Sequence, residues 1–306
     1  MNTRFLSFRY TIYWCGVGAV TLLLTLLRSI AFFADYDADI GYFTNAFSVT
    51  LGIPTVLALV GCFSLLLFIK RGELPEEQAP LSLAGAVSAG TVAVTLIIVA
   101  ISVVVRIAER NADPLLLTAP LPLMIPAACF ALLGAPYFLL QLIGKPKLAP
   151  MFGYAVILAA ILMLSVTYFD RYTPMNAPHK ISVHLSMLAI MAYMLYELRA
   201  ILKQSRPRAL TVVSAITLLI TAPTGASNLI AYLGNKVDDP LYLSCDLLAL
   251  AMALYITMRI ANELLALRGT AEPIPENARD DGRKDEAEPI PENARDDGRK
   301  DEGVTT

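Results

Sequence analysis

Arg28, His184, Asn228 and Asp246 are polar side chains set four or five residues inside the ends of long apolar runs. Ionisable groups surrounded by hydrocarbon are costly, and they mark functional sites by default. At ~1.5 Å of rise per helical residue, all four fall roughly 6–8 Å below the same end of their runs. A bundle that gathers them forms one polar, ligand-binding pocket opening at that end. Arg28 is its cation, Asp246 its nearest buried anion, and His184 a group that titrates near neutral pH. An anionic or zwitterionic ligand suits Arg28, whereas the carboxylates of the neighbouring turns favour cations by steering. The alternative is structural. Arg28 then reaches to the headgroups and pairs with Asp35 or Asp37, and Asp246 caps a neighbouring helix.

The elements that must position these groups are apolar helices. The chain has 306 residues, of which 56% are hydrophobic and 16% charged, and its mean hydropathy is +0.60. About 25% charge is usual in soluble domains, so the composition is that of an integral membrane protein. The apolar runs are continuous rather than alternating, which selects helices over a barrel. Eight runs stand at about 11–33, 47–69, 81–105, 115–142, 149–169, 181–202, 209–233 and 241–267. Each is near or above the ~20 residues that cross a ~30 Å hydrocarbon core. The expected fold is all-α: a polytopic bundle of about eight transmembrane helices, arranged as four helical hairpins over residues 1–269. The first run is long and interrupted by Arg28, which reads as a retained helix rather than a cleaved signal.

Four junctions precede new helices at the pocket end. They read DIGYFT (39–44), DPLLLT (113–118), APHKIS (177–182) and DPLYLS (239–244). Asp-Pro before an apolar run is a helix-start signal: an acceptor for the first turn, then a residue with no donor to waste. The first and last junction regions also match across a 200-residue offset, with Asp39/Asp239 and Tyr42/Tyr242 in register. Internal duplication and ordinary turn chemistry both account for this.

Orientation follows from the basic residues of the connections. Eleven Lys and Arg lie on one side against five on the other. That places both termini in the cytoplasm and the pocket outside. Residues 270–306 carry two identical copies of AEPIPENARDDGRKDE, at 271–286 and 287–302. With a net charge of −6 over 271–302 and few large apolar residues, this segment reads as a disordered cytoplasmic tail.

Within the runs, Gly85, Ala89 and Ala93 on the third, and Ala249 and Ala253 on the eighth, let backbones approach closely. Asp246 continues that face of the eighth helix. The fourth run holds Pro120, Pro122, Pro126 and Pro136, which bends it. The seventh reads TAPTGASN at 221–228, either a kink healed by hydroxyls or a locally opened helix. Met187, Met191 and Met194 beneath His184 are core filler. Glu197 and Glu263 are expected in interfacial pairs with nearby Arg199, Lys203 and Arg268.

No phosphate loop, H-E-x-x-H or dinucleotide fingerprint is present. His179 and His184, five apart, fall on different helix faces and make a poor zinc pair. Cys15, Cys62, Cys129 and Cys245 lie in apolar runs without a C-x-x-C. No metal, cofactor or nucleic-acid partner is implied. Ser227 with His184 is the one pairing that suggests an intramembrane hydrolase.

The M-N-A-P-x-K turn at 175–180 and E-L-R at 197–199, within the segment 168–202, resemble a group of polytopic membrane proteins of clostridia-like bacteria. The resemblance implies a bacterial plasma-membrane protein and carries over no active residues. Three functions stay open: a carrier or receptor for a small molecule, an assembly subunit bound to another membrane protein, and an intramembrane enzyme.

Overall fold

The computed structural model describes residues 3–37, 40–45, 51–67, 79, 81–112, 118–143, 148–171, 173–174, 176–204 and 206–269. The repeated tail lies outside them. Eight helices run in order: α1 (Thr3–Asp35), α2 (Gly52–Leu67), α3 (Leu83–Ala112), α4 (Leu121–Leu142), α5 (Pro150–Phe169), α6 (Pro178–Ile201), α7 (Pro207–Leu233) and α8 (Pro240–Gly269). Among the described residues, all but α2 are long and apolar enough to cross a membrane. The described part of α2 is apolar but shorter, at 16 residues.

The surface fits hydrocarbon. Leu22, Leu23 and Leu26 on α1, Ile101 and Val104 on α3, and Leu132 and Leu133 on α4 are exposed, while Lys180, Glu197 and Asp246 are buried. Water would enforce the opposite distribution, so the chain is a multi-pass membrane protein.

α3 through α8 close a ring, each packing on the next and α8 returning to α3. α8 also touches α6 across the ring and α1 outside it. It carries the innermost face, with Cys245, Ala249, Met252, Tyr255 and Ile256 at 1% exposure or less. α1 lies against α7 and α8, and α2 leans on α7 and α1. The small-residue faces do what the sequence predicts. Ala89 and Ala93 are fully buried, and a Cβ on Gly85 would stand 2.8 Å from Asn262 Nδ2 of α8. Met187 and Met194 fill the core as expected, with Met191 packed against it.

The four junctions differ. At the last, α8 starts at Pro240 and the backbone N–H of Leu241 donates to Asp239 Oδ1 at 2.9 Å, as the Asp-Pro signal predicts. At 177–182, α6 likewise starts at Pro178. Residues 113–117 lie outside the described set, and α4 begins at Leu121 rather than near 115. Pro120 explains the delay: it is extended at ψ 140°, and Ala119 before it is held out of helical geometry.

The first junction is not a helix start. Tyr36–Asp37 (β1) pairs antiparallel with Tyr42–Phe43 (β2). Gly41 supplies the turn's left-handed residue at φ 75°, and this is the junction without proline. Phe32, Tyr36 and Phe43 pack ring to ring at 5.0–5.5 Å, seating the hairpin on the end of α1. Burial there pushes the Tyr36 phenol above its usual value, so the hydroxyl stays neutral. α7 is continuous through Pro223. Thr221 Oγ1 donates to the Thr217 carbonyl and Ser227 Oγ to the Pro223 carbonyl, so both hydroxyls bond back within the helix.

Candidate functional site

At the end of the bundle that carries the hairpin, the site is built on Asp246 in the second turn of α8. A glycine brings the neighbouring helix onto it. A Cβ on Gly225 of α7 would lie 2.7 Å from both the Asp246 carbonyl oxygen and the Leu250 nitrogen, so only glycine allows this approach. Asn228, three residues on, shares that face of α7, and its Nδ2 donates to Asp246 Oδ1 at 2.8 Å. His179, in the first turn of α6, places Nε2 2.8 Å from Asp246 Oδ2. An ionised carboxylate only accepts, so Nε2 carries the proton in that bond. Each carboxylate oxygen thus has one strong donor from a different helix. Ser182 Oγ donates to the His179 carbonyl at 2.7 Å and lies 3.5 Å from Asn228 Nδ2. Asp246, Asn228, His179 and Ser182 are all at 4% exposure or below.

Arg28 stands in front of this group. Its guanidinium feels the charge of Asp246 without bonding to it. It lies 5.7 Å from the Phe32 ring centroid, a cation–π distance. Its Nε and Nη2 are buried and make no hydrogen bond among the described residues. Neither Asp35 nor Asp37 takes them, so the expected headgroup-side pairing is absent. What Arg28 does face is a cavity of about 620 Å³ between α1, α2, α6 and α7, roofed by Tyr42 and Phe43 of the hairpin. Ser182, and Asn176 from the turn before α6, line it with Arg28. Deeper walls come from Leu24, Leu59, Leu219 and Ile220, all apolar.

The four residues singled out in the sequence therefore separate three to one. Arg28, Asn228 and Asp246 converge. His184 does not: its ring lies 6.2 Å from that of Tyr168 on α5, and its Nε2 is buried without a partner among the described residues. The histidine at the site is His179. Five residues on a helix turn the side chain by about 140°, so sharing a level does not mean sharing a face. Ser182, three residues after His179, keeps its face, and that spacing was the available signal. The hydrolase pairing also separates, since Ser227 is spent on the Pro223 carbonyl and His184 points to α5.

The same end holds two more buried ion contacts. Arg106 of α3 donates through Nη2 to Asp239 Oδ1 and lies 3.6 Å from Glu109. Lys180, fully buried, donates to the Asp170 and Thr173 carbonyls. Two of the carboxylates expected to colour this surface, Asp170 and Asp239, are buried instead.

A second polar cluster lies about 27 Å away along α6, eighteen residues from His179. Glu197 is not interfacial: it is fully buried and accepts from Tyr255 OH of α8 at 2.5 Å and from Arg259 Nη2 at 3.2 Å. Gln141 of α4 accepts from Arg259 Nη2 at 3.3 Å, and its side-chain amide lies 2.8 Å from the same Tyr255 hydroxyl, whose one proton goes to Glu197. Glu263 accepts from Tyr10 OH of α1 at 2.9 Å. The expected partners were close in sequence, and the observed ones come from across the bundle. Arg259 is the residue that reading missed.

No described group of three or more His, Cys, Asp or Glu side chains could hold a metal ion. No family model, no curated protein and no solved structure matches the chain.

Proposed function

We propose that the chain is a carrier or receptor of a bacterial plasma membrane that takes an anionic small molecule into the cavity at Arg28. The observation that carries this reading is Arg28, which lines the 620 Å³ cavity while Nε and Nη2 of its guanidinium are buried and make no hydrogen bond among the described residues. A buried cation without a bonded anion is expensive. A fold keeps one where a ligand supplies the missing charge. The cavity falls within the roughly 300–1,000 Å³ range of small-molecule sites. Asp246 balances Arg28 at a distance, while His179 and Asn228 hold that carboxylate off the guanidinium. The bias of Lys and Arg toward the opposite connections supports termini in the cytoplasm and a cavity on the outer side. The likeness at 168–202 supports the bacterial setting.

The test is thermal unfolding of the purified full chain with benzoate, decanoate and inorganic phosphate, against matched cations. At least one anion raises the unfolding temperature of the wild type and leaves Arg28→Gln unmoved. Saturation at a hundredfold over Kd corresponds to about 2.7 kcal/mol. Equal shifts in both proteins, or none in either, would defeat the reading.

A further inference from the structure

The cavity is closed by packed helices on three sides and differs on the fourth. α2 packs on α1 and α7, and α6 packs on α5, α7 and α8. Between α2 and α6 the cavity wall is formed by side chains over which no neighbouring helix closes. Val56 is 58% exposed, Ile181 46% and Leu185 47%, and all three line the cavity. They are apolar and face the level of the hydrocarbon. On this side the cavity therefore adjoins the bilayer, while exposed Gly52 and Asn176 line it at the hairpin end, where a water-soluble ligand would enter.

Depth orders the lining. Arg28, Ser182 and Asn176 stand near the hairpin end, with Leu24 one turn deeper on α1 and Leu185 one turn deeper on α6. Leu219 and Ile220 lie eight or nine residues below Asn228 on α7, about 12–13 Å further in. A charged headgroup at Arg28 would thus have an apolar slot directly beneath it, parallel to the lipid chains.

Resting on the anion site proposed above, we infer that its ligand is an anionic amphiphile, a carboxylate or phosphate head on an alkyl chain, entering sideways from the bilayer between α2 and α6. The chain passes from one apolar medium to another, so its burial contributes little selectivity. Selectivity resides in the head. A charge-assisted pair with Arg28 favours the anion over a neutral analogue of equal length by roughly tenfold or more.

The experiment uses the full chain in neutral phosphatidylcholine nanodiscs with three photoreactive probes: a diazirine palmitate, its methyl ester, and a short water-soluble diazirine benzoate. Labelled residues are mapped by mass spectrometry. The palmitate labels the lining of α2 and α6 about tenfold more than the ester, and Arg28→Gln removes that preference. Leu185→Trp, which narrows the passage between α2 and α6 but leaves Arg28 in place, lowers palmitate labelling and spares benzoate. The same assay with a phosphatidic-acid probe in place of palmitate separates a lipid headgroup from a free fatty acid. Arg28-dependent benzoate labelling without palmitate or phosphatidate labelling overturns lateral entry and leaves the anion site standing. Labelling that ignores Arg28 for every probe overturns both.

Discussion

At the residue scale, one buried carboxylate and one buried guanidinium receive opposite treatment. Asp246 has a donor on each oxygen, from Asn228 and His179. Among the described residues, Arg28 has no partner on two of its nitrogens. The two should therefore respond oppositely to mutation. His179→Ala and Asn228→Ala each strand a carboxylate oxygen, costing about 1–3 kcal/mol and lowering the unfolding temperature. Arg28→Gln removes a cation with no hydrogen-bonded anion among the described residues, so the unfolding temperature stays level or rises, the stability–function trade of a binding site. Arg28→Gln unfolding well below the wild type would mean that the guanidinium is a structural partner. Three of these residues were legible in the sequence because charge in an apolar run is conspicuous and rise per residue gives depth. His179 was not, because depth carries no azimuth. Only the packed helix face decides which of two histidines meets Asp246.

At the element scale, the site depends on how closely α7 and α8 approach. Gly225 sits where a methyl group would strike the Asp246 carbonyl and the Leu250 amide. Both are backbone atoms and cannot rotate away, so Gly225→Ala must separate the helices and lengthen the Asn228–Asp246 bond. The expected loss is about 1–3 kcal/mol, with weakened anion binding alongside it. Gly225→Ala with wild-type stability and binding would show that the helices have room to spare. Small residues marked the tight faces of α3 and α8 in advance, and Asp-Pro marked the start of α8. The hairpin at 36–43 stayed hidden because its register is set by Phe32, Tyr36 and Phe43 closing on one another, a contact that no local pattern announces. The Glu197 cluster was misread for a related reason: Arg259 and Gln141 reach it only once α4, α6 and α8 surround it.

At the scale of the whole molecule, continuous apolar runs were enough to read a helical membrane bundle, and seven described helices are long enough to span. The ring of α3 to α8, with α1 and α2 on its flank, was not readable, since ring order comes from pairwise fit rather than from any single helix. The marginal position of α2 leaves the cavity against α1, α6 and α7. Orientation is testable directly. Asn235 and Lys203 are exposed turn residues at opposite ends of α7. With Asn235→Cys, a membrane-impermeant maleimide labels intact cells; with Lys203→Cys, it labels only after permeabilisation. The reverse pattern would turn the cavity toward the cytoplasm.

The central question for this protein is whether Arg28 holds an anion in the cavity. Native mass spectrometry of the full chain released gently from its membrane reads this directly. Wild-type protein should carry an adduct of discrete mass that dissociates as an anion, and Arg28→Gln, still folded, should have lost it. Equal adduct occupancy in the two proteins, or a wild type that emerges bare from membranes containing anionic lipid, would contradict it.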